Sequence, residues 1–219
     1  MEAKHKITED MENKLFERYL AVKENYTLEA KNGWTSEKEL KRMTVYSRND
    51  KTTNSKWIRG QGVIPCSVAE AIELIKDDAI RKSIDNSCEE TYTISKQKDH
   101  LLMYASSKKP GMFVSARDCI VLASVFTEDD GTAFFVGTSV ETPDLPDKSG
   151  FVRAEIILVA WIFSPNKEDP KKTDVVYIIS NDPKGWIPTA LSDKFNLVQA
   201  VQVVHLEKYI TKKSTEGGN

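Results

Sequence analysis

The feature that most limits how this chain can fold is the stretch from Cys88 to Ser180, which reads as six strands in succession with no helix among them. They fall at Cys88–Lys96, His100–Ser106, Asp118–Thr127, Ala133–Glu141, Val152–Phe163 and Thr173–Ser180. Turn chemistry separates them, at Asp129-Asp-Gly131, at Pro143-Asp-Leu-Pro146 and over Asn166 to Pro170. Strands that follow one another without crossover helices pair antiparallel, so an alternating βαβ sheet is excluded.

Helical segments flank this block. From Ile7 to Ala30, Leu15, Phe16, Tyr19, Leu20, Val22 and Tyr26 recur at helical spacings, and Asn32-Gly33 closes the segment. Two strands follow, Met43–Arg48 and Lys56–Ile64, with the polar Asn49 to Ser55 as a hairpin loop. Pro65-Cys66-Ser67 stops the second strand, and Ser67 with Glu70 forms a capping-box pattern that starts a helix at Val68. Asp182-Pro-Lys-Gly185 is a turn, and from Pro188 a last helix runs to about Lys212. The fold class is α+β. A long curved antiparallel sheet closed by a terminal helix would enclose a deep apolar groove.

Several functions are excluded by what is missing. The 31 Lys+Arg against 33 Asp+Glu leave a formal net charge of −2. Phosphate backbones need clustered positive charge, so no nucleic-acid partner is expected. With 40% hydrophobic and 29% charged residues, the chain is neither disordered nor fibrous. Its 219 residues carry no low-complexity tract and read as one domain, with a core over about 15–213. The longest apolar run, Ile156 to Phe163, is far short of the roughly 20 residues of a spanning helix. The opening Met-Glu-Ala-Lys-His-Lys lacks the apolar core of a secretory signal. Cys66, Cys88 and Cys119 are odd in number and widely spaced, giving neither a disulfide framework nor a zinc site. The sequon at Asn25 reads as a chance match. His5, His100 and His205 have no motif partners, and Gly137-Thr-Ser-Val-Glu141 lacks the last glycine of a nucleophile elbow. The expectation is a cytoplasmic monomer without catalysis, metal or cofactor.

Three segments, in order, carry a family resemblance: Ser115-Ala-Arg117-Asp118 before an apolar strand; Gly150-Phe-Val-Arg153-Ala154-Glu155; and Thr173-Asp-Val-Val-Tyr177 leading into Asp182-Pro-Lys-Gly-Trp-Ile-Pro188. The set resembles the START family of lipid transfer domains across nearly the whole chain. A helix over Ser67–Ser83 agrees, although the Trp-Asp usual after it reads Ile84-Asp85 here. The resemblance implies a helix-grip fold whose sheet and C-terminal helix enclose one lipid. It implies that Cys119, Val121, Ala123 and Val125 point inward from one strand, and Ile157, Val159 and Trp161 from another. Tyr104, Phe135 and Tyr177 join them from the sheet, and Val198, Gln202 and His205 from the final helix.

The lipid itself stays open. Sterol-handling members often carry a buried basic residue where this chain has Ala123 and an acid where it has Tyr104. Phosphatidylcholine-handling members use an aromatic cage at positions that include Cys119 and Ile157. Neither pattern is present. A buried amide must be hydrogen-bonded, so Gln202 either pairs within the protein or reads a headgroup. Arg117 and Asp118 are expected to form a structural ion pair that pins a loop, and Arg153 is likewise structural. Met112 and Phe113 beside Lys108 and Lys109, with Trp186, suit transient membrane docking at the cavity mouth; alternatively they cover the core. Three roles remain: a lipid carrier, a lipid-sensing module, or an enzyme of a related helix-grip fold acting on an apolar substrate.

Overall fold

The computed structural model describes residues 5–143, 145–188 and 198–216. Its centre is a sheet of ten strands: β1 (Thr35–Leu40), β2 (Met43–Asp50), β3 (Ser55–Ile64), β4 (Cys88–Gln97), β5 (His100–Ser107), β6 (Ala116–Thr127), β7 (Ala133–Ser139), β8 (Phe151–Arg153), β9 (Glu155–Pro165) and β10 (Thr173–Asp182). Nine of them run antiparallel in the order β1-β2-β3-β10-β9-β7-β6-β5-β4. Short β8 lies parallel to the start of β6. Among the described residues four α-helices are defined: α1 (Glu9–Asn25), α2 (Val68–Lys76), α3 (Asp78–Ile84) and α4 (Gln202–Glu216). This is the α+β helix-grip architecture.

Local chemistry explains the boundaries, including those the sequence reading misplaced. The capping box forms as expected: Glu70 N donates to Ser67 Oγ at 3.3 Å, and Ser67 N to Glu70 Oε2 at 2.8 Å. The single helix expected to Ser83 is instead α2 and α3, because Asp77 adopts extended backbone and accepts from Ile80 N at 3.0 Å, capping a second helix. Helix α1 stops at Asn25, and Ala30–Asn32 is a separate 3-10 turn closed by Gly33 at φ +66°. The expected strand 152–163 breaks at Ala154, whose N–H leaves the ladder to donate to Asp118 O at 2.8 Å. Strand β1 was not anticipated. Its residues Thr-Ser-Glu-Lys-Glu-Leu are almost all exposed and carry no apolar alternation; β2 holds them at the sheet edge. The beginning of the expected last helix, with Phe195, lies outside the described residues.

Period-two alternation buries both faces of the central strands. On one face Leu122, Phe134, Leu158 and Ile162 pack against Leu15, Tyr19 and Val22 of α1. On the other, Val121, Phe135, Trp161 and Tyr177 meet Ile75 of α2, Ile84 of α3 and Val203 and Leu206 of α4. Helix α4 comes close to β3 because two glycines clear its path. A Cβ on Gly60 would collide with the Ala200 carbonyl oxygen, and one on Gly62 would stand 2.8 Å from Val203 Cγ1. Among the described residues, no helix is long and apolar enough to cross a membrane.

Candidate functional site

A cavity of about 220 Å³ lies between the sheet and the helices of its inner face. Met103, Val121, Phe135, Val159, Trp161 and Tyr177 supply its sheet wall, and Ile75 closes it from α2. Trp161 and Tyr177 are neighbours, with ring centroids 4.6 Å apart. The thiols of Cys88 and Cys119 also face this space. Burial pushes the first up to about 11 and the second up to about 12, so neither is a thiolate nucleophile. The Tyr177 phenol is held well above its usual range, chiefly by burial and next by Asp85. Such a wall is suited to covering an apolar molecule.

Of the residues assigned to a ligand, Cys119, Val121, Phe135, Val159, Trp161, Tyr177 and Gln202 lie on the cavity wall. Five others do not. Tyr104 points to the opposite face with Leu102 and Ile120, stacked on Tyr92 at 5.0 Å, because Met103 takes the inward place on β5. Ala123 faces inward but is fully buried in the packed core. Ile157 is displaced by a register shift: Leu158 pairs with Ser180 and Ile156 with Asn181, leaving Ile157 as the extra residue. Ile156 reaches the wall in its stead, while the Ile157 carbonyl accepts from Arg18 Nε at 3.1 Å and Thr138 Oγ1 at 3.0 Å. Val198 is half-buried off the wall. His205 Nδ1 stands 2.7 Å from the Ile84 carbonyl oxygen, tying α4 to the end of α3.

The sequence reading overlooked a polar cluster on the wall. Tyr177 Oη donates to Gln199 Oε1 at 3.2 Å, and Gln202 Nε2 donates to the same oxygen. Gln199 Nε2 reaches Ser87 Oγ at 3.1 Å and Asp85 Oδ2 at 3.4 Å. Ser87 Oγ in turn donates to Asp85 Oδ1 at 2.6 Å. The one available signal was spacing: Gln199 precedes Gln202 by three residues, so on a helix both present one side.

At the rim the expected Arg117–Asp118 pair does not form, since adjacent strand residues point to opposite faces. Asp118 is gripped by Arg153, through Nε at 2.9 Å and Nη2 at 3.1 Å. Arg117 instead donates to four carbonyl oxygens: Ser115 at 2.7 Å, Pro183 at 3.2 Å, Lys184 at 3.1 Å and Trp186 at 3.1 Å. It thereby joins the β5–β6 loop to the segment after β10. Pro110 from the first loop, and Pro183 and Ile187 from the second segment, line the cavity. On these same segments Met112, Phe113 and Trp186 are 90%, 88% and 71% exposed. They therefore do not serve as a cover for the core.

A family model described as the START domain matches residues 14–205. The chain belongs to the START domain family. This START domain is 27% identical to StAR-related lipid transfer protein 5 of Mus musculus over 187 residues, spanning 79% of this chain and 88% of that protein. It is 31% identical to the mitochondrial steroidogenic acute regulatory protein of Danio rerio over 113 residues, spanning 52% of this chain. That match covers only 38% of the Danio protein's own length. Among solved structures, human StAR-related lipid transfer protein 5 superposes with a TM-score of 0.79 at 24% identity, covering 94% of this chain and 97% of that one. The helix-grip fold is common to both.

Proposed function

We propose that this START domain encloses one lipid in the cavity between sheet and helices and carries it between membranes, docking through the two rim segments. The observation that carries this reading is the pairing of a mainly apolar cavity with a rim bearing three exposed large apolar side chains. Two relatives described above are named as lipid transfer proteins. Burying a CH₂ is worth roughly 0.8 kcal/mol, so a lipid chain of about 16 carbons loses about 13 kcal/mol on exposure to water. A carrier has to supply dry cover of this sort and a way to load without crossing bulk water. Met112, Phe113 and Trp186 suit that loading step by entering the bilayer interface, with Lys108 and Lys109 beside the first two. Thiols held un-ionised by burial favour carriage over nucleophilic chemistry.

The test is native mass spectrometry of the purified chain, followed by lipid extraction and a vesicle-to-vesicle transfer assay at low protein-to-lipid ratio. The expected result is one lipid per chain and multiple rounds of transfer. Tight binding without transfer would replace the carrier with a sensor, and chemical conversion of the extracted lipid would replace it with an enzyme.

A further inference from the structure

We propose that Gln202, oriented by Gln199 and Asp85, reads the polar end of the bound lipid, and that this end is an uncharged hydroxyl. The inference rests on the carrier reading and adds the chemical class of the cargo.

The direction of the hydrogen bonds decides it. A carboxylate can only accept. Asp85 therefore turns the Gln199 NH₂ group toward itself and Ser87, which leaves the Gln199 carbonyl facing the other way. That carbonyl accepts from Tyr177 and from the Gln202 NH₂ group. Gln202 is consequently turned with its own carbonyl oxygen unused, and among the described residues no donor reaches it. The Tyr177 phenol, held far above its usual range by burial and by Asp85, keeps the one proton that it gives to Gln199. Asp85 thus sets the polarity of a relay whose free end on the cavity wall is the Gln202 amide, with its carbonyl oxygen and one N–H still open. What that oxygen lacks is a donor, and a hydroxyl can supply one while accepting from the N–H.

Charge excludes the main competitor. Two cations reach the cavity among the described residues, and both are engaged. Arg81 donates through Nη1 to the carbonyls of Ile75 at 3.0 Å and Lys76 at 2.8 Å, and through Nη2 to Asp78. Arg117 is occupied by the four rim carbonyls. An ionised phosphate would enter beside the Asp85 carboxylate and an acceptor oxygen, with no free cation to meet it. A hydroxyl brings the missing donor and no charge.

Three probes sharing one fluorescent tail test this on the full chain: an NBD-labelled long-chain alcohol, its methyl ether and its phosphate monoester. The alcohol is expected to bind about five- to tenfold more tightly than the ether, the worth of one net hydrogen bond, with the phosphate weaker than the alcohol. Gln202→Leu should bring alcohol and ether to equal affinity. Asp85→Asn, which lets the Gln199 amide turn over, should narrow the same ratio without touching Gln202. Equal binding of alcohol and ether by the unmodified protein, or tighter binding of the phosphate, overturns the proposal and leaves the carrier reading standing. If none of the three probes binds, both fall together.

Discussion

Replacing Phe113 by Ser tests the docking loop with little disturbance to the rest of the molecule. Phe113 is 88% exposed and absent from the cavity wall, so the change removes neither core packing nor a ligand contact. Full burial of a Phe side chain is worth about 1.5–3 kcal/mol. For shallow insertion of a side chain this exposed, a loss of about 2 kcal/mol is reasonable, and since 1.4 kcal/mol is tenfold, membrane association should weaken about 30-fold. Met112 and Trp186 would remain to give residual docking. Lysines add about 1 kcal/mol each near an anionic surface, so the deficit should be larger on neutral vesicles than on anionic ones. The assay is fluorescence-detected transfer between donor and acceptor vesicles, run beside an equilibrium titration of the same lipid probe. The variant should transfer far more slowly while its equilibrium affinity stays within about twofold of the original, because the loop acts on the route and not on the bound state. Transfer at the original rate by a stably folded Phe113→Ser protein refutes the docking role of this loop.

Other consequences can be checked independently. Val121→Trp fills the cavity from its floor and should abolish binding of a fatty-chain probe with the thermal midpoint little changed, as seen by calorimetry beside the titration. Gly60→Val drives a side chain into the Ala200 carbonyl; overpacking costs about 1–3 kcal/mol, which lowers the midpoint by roughly 3–10 °C in a chain this size. The cavity thiols predict an alkaline limb. Their folded-state values are raised to about 11 for Cys88 and about 12 for Cys119, so their contribution is intact below the ordinary thiol value. It declines as pH rises toward those folded values, because only the unfolded chain can ionise there. Denaturant midpoints measured from pH 8 to pH 10.5 should fall, and Cys119→Ala should flatten that fall.

What could be read from the sequence follows from how local each cause is. The six-strand block, the capping box at Ser67 and the rim loops announce themselves in runs of a few residues. Strand β1 does not, because a polar edge strand is held by its neighbour's backbone and needs no apolar pattern of its own. The split at Asp77 turns on one side chain choosing to cap. Ile157 was placed on the wall by the family's register carried along a two-residue period, which holds only while the ladder is regular; one extra residue opposite Ser180 and Asn181 exchanged it for Ile156. Gln202 stood out as an amide on an apolar helix face, yet it is oriented through Gln199 by Asp85 and Ser87, which come from a turn more than a hundred residues earlier in the chain. No spacing rule reaches that far.

The four carbonyls around Arg117 give the rim a mechanical character. A guanidinium is a flat plate, and this one is bolted at one corner to the β5–β6 loop and at the others to the segment leading toward α4. Neither segment can swing far without dragging the other or tearing the plate free of its fastenings. A push on Phe113 is therefore felt at Trp186 through the shared guanidinium. The two segments of the rim move as one plate.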